Sequence, residues 1–469
     1  MIQMLITIRD ILSTPALLVG VVVLFGLLLQ KKPIEQVIKG TVTAIVGFIL
    51  LSEGSSFLQT GALKDFGVLF NYDFHIQGVV PNMEAVSSMG IAKYATDVSL
   101  IMFFGMIANI IMARFGPFHY IFLTGHHALY MACLLAIVLH VCQMSGWQLI
   151  LAGSLLLGLL MASMPALVEK EMKRVTGGNR IALGHFSTVS YLVAAKVAAF
   201  CTRKDREDEN KKIHSTEELH FPTQLSFMRD TTVEIFVVMT IVFLALTGMA
   251  VGRSGFETLN IAYKTGQYHN WIIYAIVQGA SFSAAIYIIL AGVRLVIGEI
   301  VPAFKGIAKK IVPHAKPAVD CPILFSYAPN AVMIGFLMSF LGGVVVMACL
   351  LKFNSMEGEQ LLPVIVPGVV AHFFCGGTAG VFANSEGGLK GCLVGSFVHG
   401  VMITFLSLAV IPVLGTLDMS GTTFSDADFC AVGIILGNIA NHVAKDGMLF
   451  LAVTVFILPI FYQFSKKFK

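Results

Sequence analysis

Long apolar runs separated by short polar segments dominate the pattern along this chain. Runs of about 20 residues recur from one end to the other, and each is long enough to cross a hydrocarbon core of about 30 Å as a helix. The predicted spans lie near residues 12–30, 38–57, 97–113, 119–141, 147–167, 232–251, 272–297, 331–352, 393–416 and 430–463, the last of which is long enough to be divided. The pattern predicts an all-α polytopic membrane protein with about ten or eleven transmembrane helices.

Two segments are too polar to be ordinary spans. Residues 176–200 begin with Thr-Gly-Gly-Asn-Arg, and residues 360–384 pass through Gly-Gly-Thr-Ala-Gly at 376–380. Broken backbone is tolerated at membrane depth only where protein or a water-filled cavity covers it. We therefore predict a re-entrant hairpin in each segment, and an exposed loop with an amphipathic or re-entrant portion at 61–95.

One predicted hairpin falls in each half of the chain. An offset of 252 residues also aligns Gly40 with Gly292 and Gly54 with Gly306 in similar apolar contexts. This outline is typical of inverted repeats, whose broken helices build a site near the bilayer midplane. Chance is the alternative, because the chain contains 44 glycines.

Composition agrees with a membrane location. The chain is 57% apolar and 12% charged, against about 25% charged residues in a soluble protein. The net charge of +4 is small and its cations lie in short loops, which argues against nucleic-acid binding. These cations predict that the loop 202–229 and the tail 466–469 are cytoplasmic. Residues 1–10 are not expected to belong to a cleavable signal peptide, since the run that follows is long enough to span.

Asp320 is the most informative polar residue. It opens the segment Asp-Cys-Pro-Ile-Leu-Phe-Ser-Tyr-Ala-Pro-Asn at 320–330, which places a carboxylate, two prolines and an asparagine between apolar runs. An acid inside a membrane segment costs roughly 2.5–3.5 kcal/mol on insertion scales and marks a functional candidate. Capping of the following helix is the structural alternative, and a carboxylate can cap a helix and bind a ligand at once.

Histidines and a glutamate add further candidates. His126 and His185 each follow a glycine, which permits close backbone approach. An imidazole can donate to or accept from a polyhydroxylated ring, although a lone membrane histidine can instead bond a neighbouring helix. His127 replaces His126 if the helix register differs, and Glu84 is a further ionisable residue near a span end.

The sequence predicts no self-contained catalytic centre. No nucleophile–base pair, no His-x-x-His spacing and no Cys-x-x-Cys pair is evident. The eight cysteines are scattered, most of them in apolar runs. We therefore expect no catalytic residues, no metal, no cofactor and no disulfide framework.

Several motifs together resemble one membrane family. They are Thr-Gly-His at 124–126, Gly-His at 184–185, Asp-Cys at 320–321 with Ser-Tyr-Ala-Pro-Asn-Ala-Val at 326–332, and Gly-Val-Phe-Ala-Asn at 380–384 with Gly-Gly at 387–388. They are similar to the ascorbate-type membrane component, IIC, of the bacterial phosphoenolpyruvate-dependent phosphotransferase system. The resemblance covers nearly the whole chain, and the run from Asp-Cys to Ala-Val is its most specific part.

The resemblance implies an elevator-like transporter of the bacterial inner membrane. It implies a homodimer in which each protomer has a V-shaped scaffold, at roughly 1–60 and 230–310, and a core with the two hairpins, at roughly 61–229 and 311–469. The core would carry the substrate across by a rigid-body shift. The positions that match the family's substrate pocket are His126, His185 and Asp320.

The chain departs from the ascorbate pattern at several positions of the implied pocket. The family has Thr-Tyr at Met83 and Glu84, glutamine at both Tyr130 and Phe186, and alanine at Gly377. An aromatic ring in place of an amide removes a hydrogen-bond partner, but it can stack on the apolar face of a sugar ring. The expected substrate is therefore L-ascorbate or a related sugar, polyol or sugar acid.

A permease of this kind passes its substrate to separate IIB and IIA proteins for phosphorylation in the cytoplasm. Docking is expected on basic loops such as 202–229 or 305–316, and the chain is then a transporter component surrounded by lipid, not a free-standing enzyme. One alternative is an ion-coupled secondary transporter that uses Asp320 or Glu84 with a histidine as a proton relay. Another is a membrane-embedded enzyme with a histidine–aspartate site.

Overall fold

A computed structural model of the chain describes residues 15–75, 78–178, 181–207, 213–219, 230–254, 270–312, 314–357, 361–414, 421–440 and 442–467. Most of these residues are helical, as the apolar pattern predicts. The helices are α1 Pro15–Leu29, α2 Ile34–Thr60, α3 Ala62–Phe74, α4 Met83–Phe115, α5 Gly125–Val141, α6 Gly146–Leu167, α7 Glu169–Thr176, α8 Thr188–Cys201, α9 Thr231–Ser254, α10 Trp271–Ile311, α11 Pro329–Glu357, α12 Gly377–Val410, α13 Ala427–Ala440 and α14 Lys445–Lys467.

Eight helical stretches among the described residues are long and apolar enough to cross a membrane. Shorter apolar helices, α5, α8 and α13 among them, accompany these eight. The sequence predicts about ten or eleven spans, because long apolar runs alone do not distinguish full-length helices from half-length ones. The chain is a multi-pass membrane protein with helices of both lengths.

Six short parallel strands interrupt the helices within the described ranges, and the apolar pattern does not predict them. Two sheets of three strands form, in the orders β5-β1-β6 and β2-β4-β3. The strands are β1 Gly78–Pro81, β2 Tyr120–Phe122, β3 Ala182–Leu183, β4 Lys316–Val319, β5 Val364–Ile365 and β6 Thr422–Thr423. Their peptide groups bond each other at the points where the helical hydrogen-bond ladder is broken.

The two halves of the chain contribute to the sheets reciprocally. In each sheet the central strand comes from one half and both neighbours come from the other. β4 begins 238 residues after β1, at 316 against 78, and β5 begins 244 after β2, at 364 against 120. β6 begins 240 after β3, at 422 against 182. These strand offsets lie within 14 residues of the 252 residues that align the glycines.

The two segments predicted as hairpins each fold as a strand that leads into a helix. In 176–200, β3 is followed by the half-length helix α8. In 360–384, β5 is followed by one helical turn, a wider π-helical turn at His372–Gly376, and then α12. The described residues in both segments thus combine extended and helical backbone.

The exposed loop predicted at 61–95 is wrong, because helices α3 and α4 occupy most of it. Its acidic residues suggested exposure. Asp65 instead accepts hydrogen bonds from Tyr274 and Gln278 of α10, at 3.2 and 2.9 Å. Glu84 is buried, with 6% of its surface exposed. The expected connector 305–316 is likewise helical as far as the end of α10.

Helix packing is closest where glycines face backbone. α2 packs against α1 and α10, and α10 also packs against α9. A Cβ atom on Gly292 of α10 would lie 2.6 Å from the carbonyl oxygen of Gly47 in α2. In a second group, α12 packs against α8 and α11, and a Cβ on Gly400 would lie 1.9 Å from the carbonyl oxygen of Ser339. Small residues let membrane helices approach this closely.

One ion pair fastens a strand to a surface helix. Lys316, the first residue of β4, donates from Nζ to Glu169 Oε1 at 2.5 Å, and Lys173 reaches the same oxygen at 3.1 Å. The hydrogen bond from Lys316 is the largest cause that lowers the pKa of Glu169 from 4.5 to about 2. The ionised carboxylate is therefore the form that the fold stabilises.

The ion pair between Lys316 and Glu169 predicts that Lys316→Gln lowers the stability of the fold in a pH-dependent way. A carboxyl with a lowered folded-state pKa stabilises the fold above its unfolded pKa of 4.5, and this contribution is lost as the pH falls from 4.5 toward 2. The variant is expected to melt below the native protein at pH 7, with the difference shrinking at pH 3. Thermal unfolding in detergent at both pH values measures this. Lys173→Gln is the matched control, and an equal effect of both variants would contradict the assignment.

Candidate functional site

A cavity of about 200 Å³ lies where the six strands end and the helices after them begin. Each strand is followed by at least one residue that lines it. One polar or aromatic lining residue after each strand is, in chain order, Glu84, His126, His185, Asp320, Phe374 and Asp426. The remaining wall comes from α10, through Leu290, Val293 and Arg294. Short strands thus bring residues that are far apart in sequence to one place.

Asp320 occupies the centre of one wall. Its Oδ1 atom accepts a hydrogen bond from the Cys321 backbone N–H at 2.7 Å, so it caps the short 3-10 turn Cys321–Leu324. Its side chain is still one-third exposed. The carboxylate therefore caps a turn and faces the cavity at the same time.

Two imidazoles flank this carboxylate. His126 Nε2 lies 3.4 Å from Asp320 Oδ2, and His185 Nε2 lies 4.0 Å from Asp320 Oδ1. The second distance is too long for a direct hydrogen bond. The three residues that the sequence singles out thus meet, with the facing atoms arranged around a gap.

His127 faces a different partner from His126. The Phe186 backbone N–H donates to His127 Nδ1 at 3.2 Å. The ring centroids of His127 and His185 lie 3.9 Å apart. His127 also lines the cavity, so the sequence alternative of a shifted register is not needed to bring either histidine there.

Met83, Glu84 and Tyr130 also line the cavity. Glu84 Oε2 and the Tyr130 hydroxyl are buried and accept or donate no hydrogen bond among the described residues. Tyr130 is 2% exposed and stands edge-on to His126, with ring centroids 6.0 Å apart. Two buried polar atoms are therefore available to a bound molecule.

Phe186 and Gly377 are not among the described residues that line the cavity. The Phe186 ring stacks on Phe122 with centroids 4.7 Å apart and stands edge-on to Phe429. Phe186 belongs to the turn before α8, and its ring packs in the hydrophobic core while His185 lines the cavity. Gly377 starts α12, where a Cβ would lie 2.9 Å from Val332.

Sequence reasoning missed Asp426 and Asp428. Asp426 lines the cavity and is 4% exposed, with its Oδ1 accepting from the Ser425 hydroxyl. Asp428 is 1% exposed and accepts three hydrogen bonds from the start of α8: Thr188 N at 2.8 Å, Thr188 Oγ1 at 2.6 Å and Val189 N at 3.0 Å. The rule that marks an acid in an apolar segment applies to both and would have found them.

Three groups of side chains bring possible metal ligands within 4.8 Å of one another. They are His126, His127 and Asp320; His127, His185 and Asp426; and His185, Asp320 and Cys321. The first two depend on His127. Its Nδ1 accepts from a backbone N–H, so the neutral ring carries its hydrogen on Nε2 and has no nitrogen free to ligate. For these two groups, hydrogen bonding to a ligand is the chemistry that the geometry supports.

Comparisons with known proteins relate the chain to sugar permeases. A family model described as the PTS system sugar-specific permease component matches residues 10–428. The chain is also 27% identical over 435 residues to the ascorbate-specific PTS system EIIC component of Mycoplasma pneumoniae. That alignment covers 86% of this chain and 65% of the relative, so the chain spans less than two thirds of the relative's length. The chain belongs to the family of PTS sugar-specific permease components, which are multi-pass proteins of the bacterial inner membrane.

Proposed function

We propose that the chain is the IIC subunit that carries L-ascorbate or a related sugar, polyol or sugar acid across the inner membrane. The observation that carries this proposal is the placement of Asp320 between the Nε2 atoms of His126 and His185, at 3.4 and 4.0 Å. Hydroxyl groups both donate and accept, so one hydroxyl can accept from an imidazole N–H and donate to the carboxylate. A ligand with several hydroxyls can bond both histidine–carboxylate pairs, His126 with Asp320 and His185 with Asp320.

Other residues that line the cavity set the ligand's remaining contacts. Glu84 Oε2 and the Tyr130 hydroxyl are buried without described partners, and burying them unpaired costs free energy. A ligand hydroxyl that bonds them removes that cost. Phe374 and Val370 add apolar surface, against which a ring or carbon chain packs. A small, hydroxyl-rich molecule suits a cavity of about 200 Å³.

Translocation is proposed to follow the elevator scheme of the resembling family. The scaffold corresponds to residues 1–60 and 230–310 and the core to 61–229 and 311–469. In support, Leu290, Val293 and Arg294 of the scaffold helix α10 line the cavity, and every other lining residue belongs to the core. A shift of the core against α10 would open this wall. The homodimer, the V-shaped scaffold and the inverted repeats belong to the same proposal, and the reciprocal strand order supports the repeats.

Cytoplasmic IIB and IIA partners are proposed to phosphorylate the substrate after translocation. Phosphorylation traps it, because the product carries about two more negative charges at neutral pH. Exposed cations at the start of the loop 202–229, Arg203 and Lys204, offer a docking surface for such a partner. The chain itself then needs to bind and release the substrate only.

The test is binding to the purified chain followed by uptake in reconstituted vesicles. Ascorbate, pentoses, hexitols and sugar acids are titrated by calorimetry, and one class is expected to bind. Uptake into vesicles is then expected to require phosphoenolpyruvate, the general phosphocarrier proteins that pass its phosphoryl group on, IIA and IIB inside. Uptake that proceeds without them and collapses with an uncoupler would overturn the proposal and favour the ion-coupled transporter.

Glu84→Gln is expected to change selectivity between charged and neutral ligands. Ascorbate is a monoanion at neutral pH, and a carboxylate in the same cavity repels it. The variant is expected to raise the affinity for ascorbate relative to a neutral polyol by about tenfold, on the order of 1.4 kcal/mol. Competition binding measures the ratio. Glu53→Gln, on an exposed position of α2, is the control. An unchanged ratio in Glu84→Gln would remove Glu84 from the ligand contacts.

A further inference from the structure

Behind His185 lies a buried tyrosine that no substrate is positioned to touch. Tyr191 of α8 has no exposed surface, and its hydroxyl lies 3.0 Å from His185 Nδ1. The other ring nitrogen of His185, Nε2, faces Asp320 and the cavity. Tyr191 therefore contacts Nδ1, the ring nitrogen of His185 that faces away from the cavity.

The hydrogen on His185 can be assigned from these two neighbours. Nε2 faces a carboxylate oxygen of Asp320 across 4.0 Å, and a carboxylate offers only acceptors when ionised. Nε2 is stabilised there as a donor. A neutral imidazole then has an unprotonated Nδ1, which requires a donor, and the Tyr191 hydroxyl is the group within hydrogen-bond distance.

We infer that Tyr191 is a positioning residue that holds His185 in the Nε2–H tautomer and so presents a hydrogen-bond donor beside the Asp320 acceptor. This inference rests on the proposed function in one respect: the His185 donor and the Asp320 acceptor together would recognise a hydroxyl group of the substrate. The tautomer itself is a property of the protein without ligand. The assignment can therefore fail or hold independently of what the chain transports.

The first measurement is the protonation of the His185 ring nitrogens. The full chain is labelled with ¹⁵N-histidine in lipid, and ring ¹⁵N shifts are recorded by solid-state NMR. The signal of His185 is identified by its loss in His185→Gln. We expect Nε2 protonated and Nδ1 unprotonated in the native chain, and a second tautomer to be populated in Tyr191→Phe. A protonated Nδ1 in the native chain would overturn the inference.

The second measurement separates positioning from packing. Phenylalanine keeps the ring that packs on Phe382 and His399, so Tyr191→Phe is expected to remain folded. Its affinity for the ligand found in the binding screen is expected to fall about tenfold, as for loss of one buried hydrogen bond. Tyr274→Phe, which loses a hydroxyl bond to Asp65 outside the cavity, is the control and is expected to bind normally. The inference is overturned if Tyr191→Phe keeps both the native tautomer and the native affinity.

The two failures are distinguishable. If no hydroxyl-rich molecule binds the native chain, the proposed function fails, while the NMR result still decides the role of Tyr191. If a ligand binds and the tautomer is not the one assigned, only the inference about Tyr191 fails.

Discussion

Asp320→Asn is expected to abolish ligand binding and leave the protein folded. Asparagine caps a helical turn about as well as aspartate, so the hydrogen bond to the Cys321 N–H persists. The charge is lost, and one carboxylate oxygen becomes an amide donor that faces an imidazole N–H. We expect affinity to fall at least about 100-fold, roughly 3 kcal/mol, as for a charged hydrogen-bond partner.

Calorimetry with the ligand from the binding screen measures this loss, and size-exclusion chromatography verifies the fold. Asp65→Asn is the matched control, because Asp65 bonds Tyr274 and Gln278 outside the cavity. That variant is expected to bind normally. Native affinity in Asp320→Asn would show that the carboxylate is a structural cap alone. His185→Ala is expected to weaken binding in the same assay.

Asp428→Ala is expected to cause the largest loss of stability. The carboxylate accepts from Thr188 N, Thr188 Oγ1 and Val189 N, and it is 1% exposed. Alanine leaves the buried Thr188 N–H and the half-buried Val189 N–H without an acceptor, at roughly 1–3 kcal/mol for each such group. It leaves the Thr188 hydroxyl with the weaker acceptor Met164 Sδ, at 3.4 Å. These donors lie at the start of α8, three residues after His185. We therefore expect a loss of about 3 kcal/mol or more and a displaced His185.

Thermal unfolding in detergent measures the loss, and ligand affinity reports the displacement. Asp446→Ala is the control, because Asp446 is exposed at the start of α14 and, in the described part of the chain, its side chain bonds the half-buried Gln148. Its melting temperature is expected to match that of the native protein. A native-like melting temperature in Asp428→Ala would mean that water satisfies the α8 donors and that the carboxylate is dispensable.

The membrane class and three cavity residues could be predicted from the sequence because their signals are strong and local. Apolar runs of span length identify the helices. Asp320 stands out because acids are costly in apolar segments, and the glycine before each of His126 and His185 marks backbone that can approach closely. None of these signals requires knowledge of the partner segments, and the cavity brings all three residues together.

The strands and the position of Asp426 in the cavity could not be predicted in the same way. A strand of two to four residues is too short to show the alternation by which strands are recognised. Without the strands, nothing relates Asp426 to Glu84 across more than 300 residues, although the structure places both at one cavity. Phe186 is expected in the pocket because it matches a glutamine of the resembling family, but its ring packs on Phe122 and Phe429. The sequence does not reveal the turn that directs the ring there.

The reciprocal strands also determine when the fold can be completed during biosynthesis. β1 ends at Pro81, and its first partner, β5, begins at Val364. At 20 residues per second, the ribosome needs about 14 s to synthesise the polypeptide between them. During that interval the peptide groups of β1 lack their acceptors and donors, which hydrocarbon cannot replace. The nascent first half must therefore be shielded, by the insertion machinery or by water, until the second half arrives.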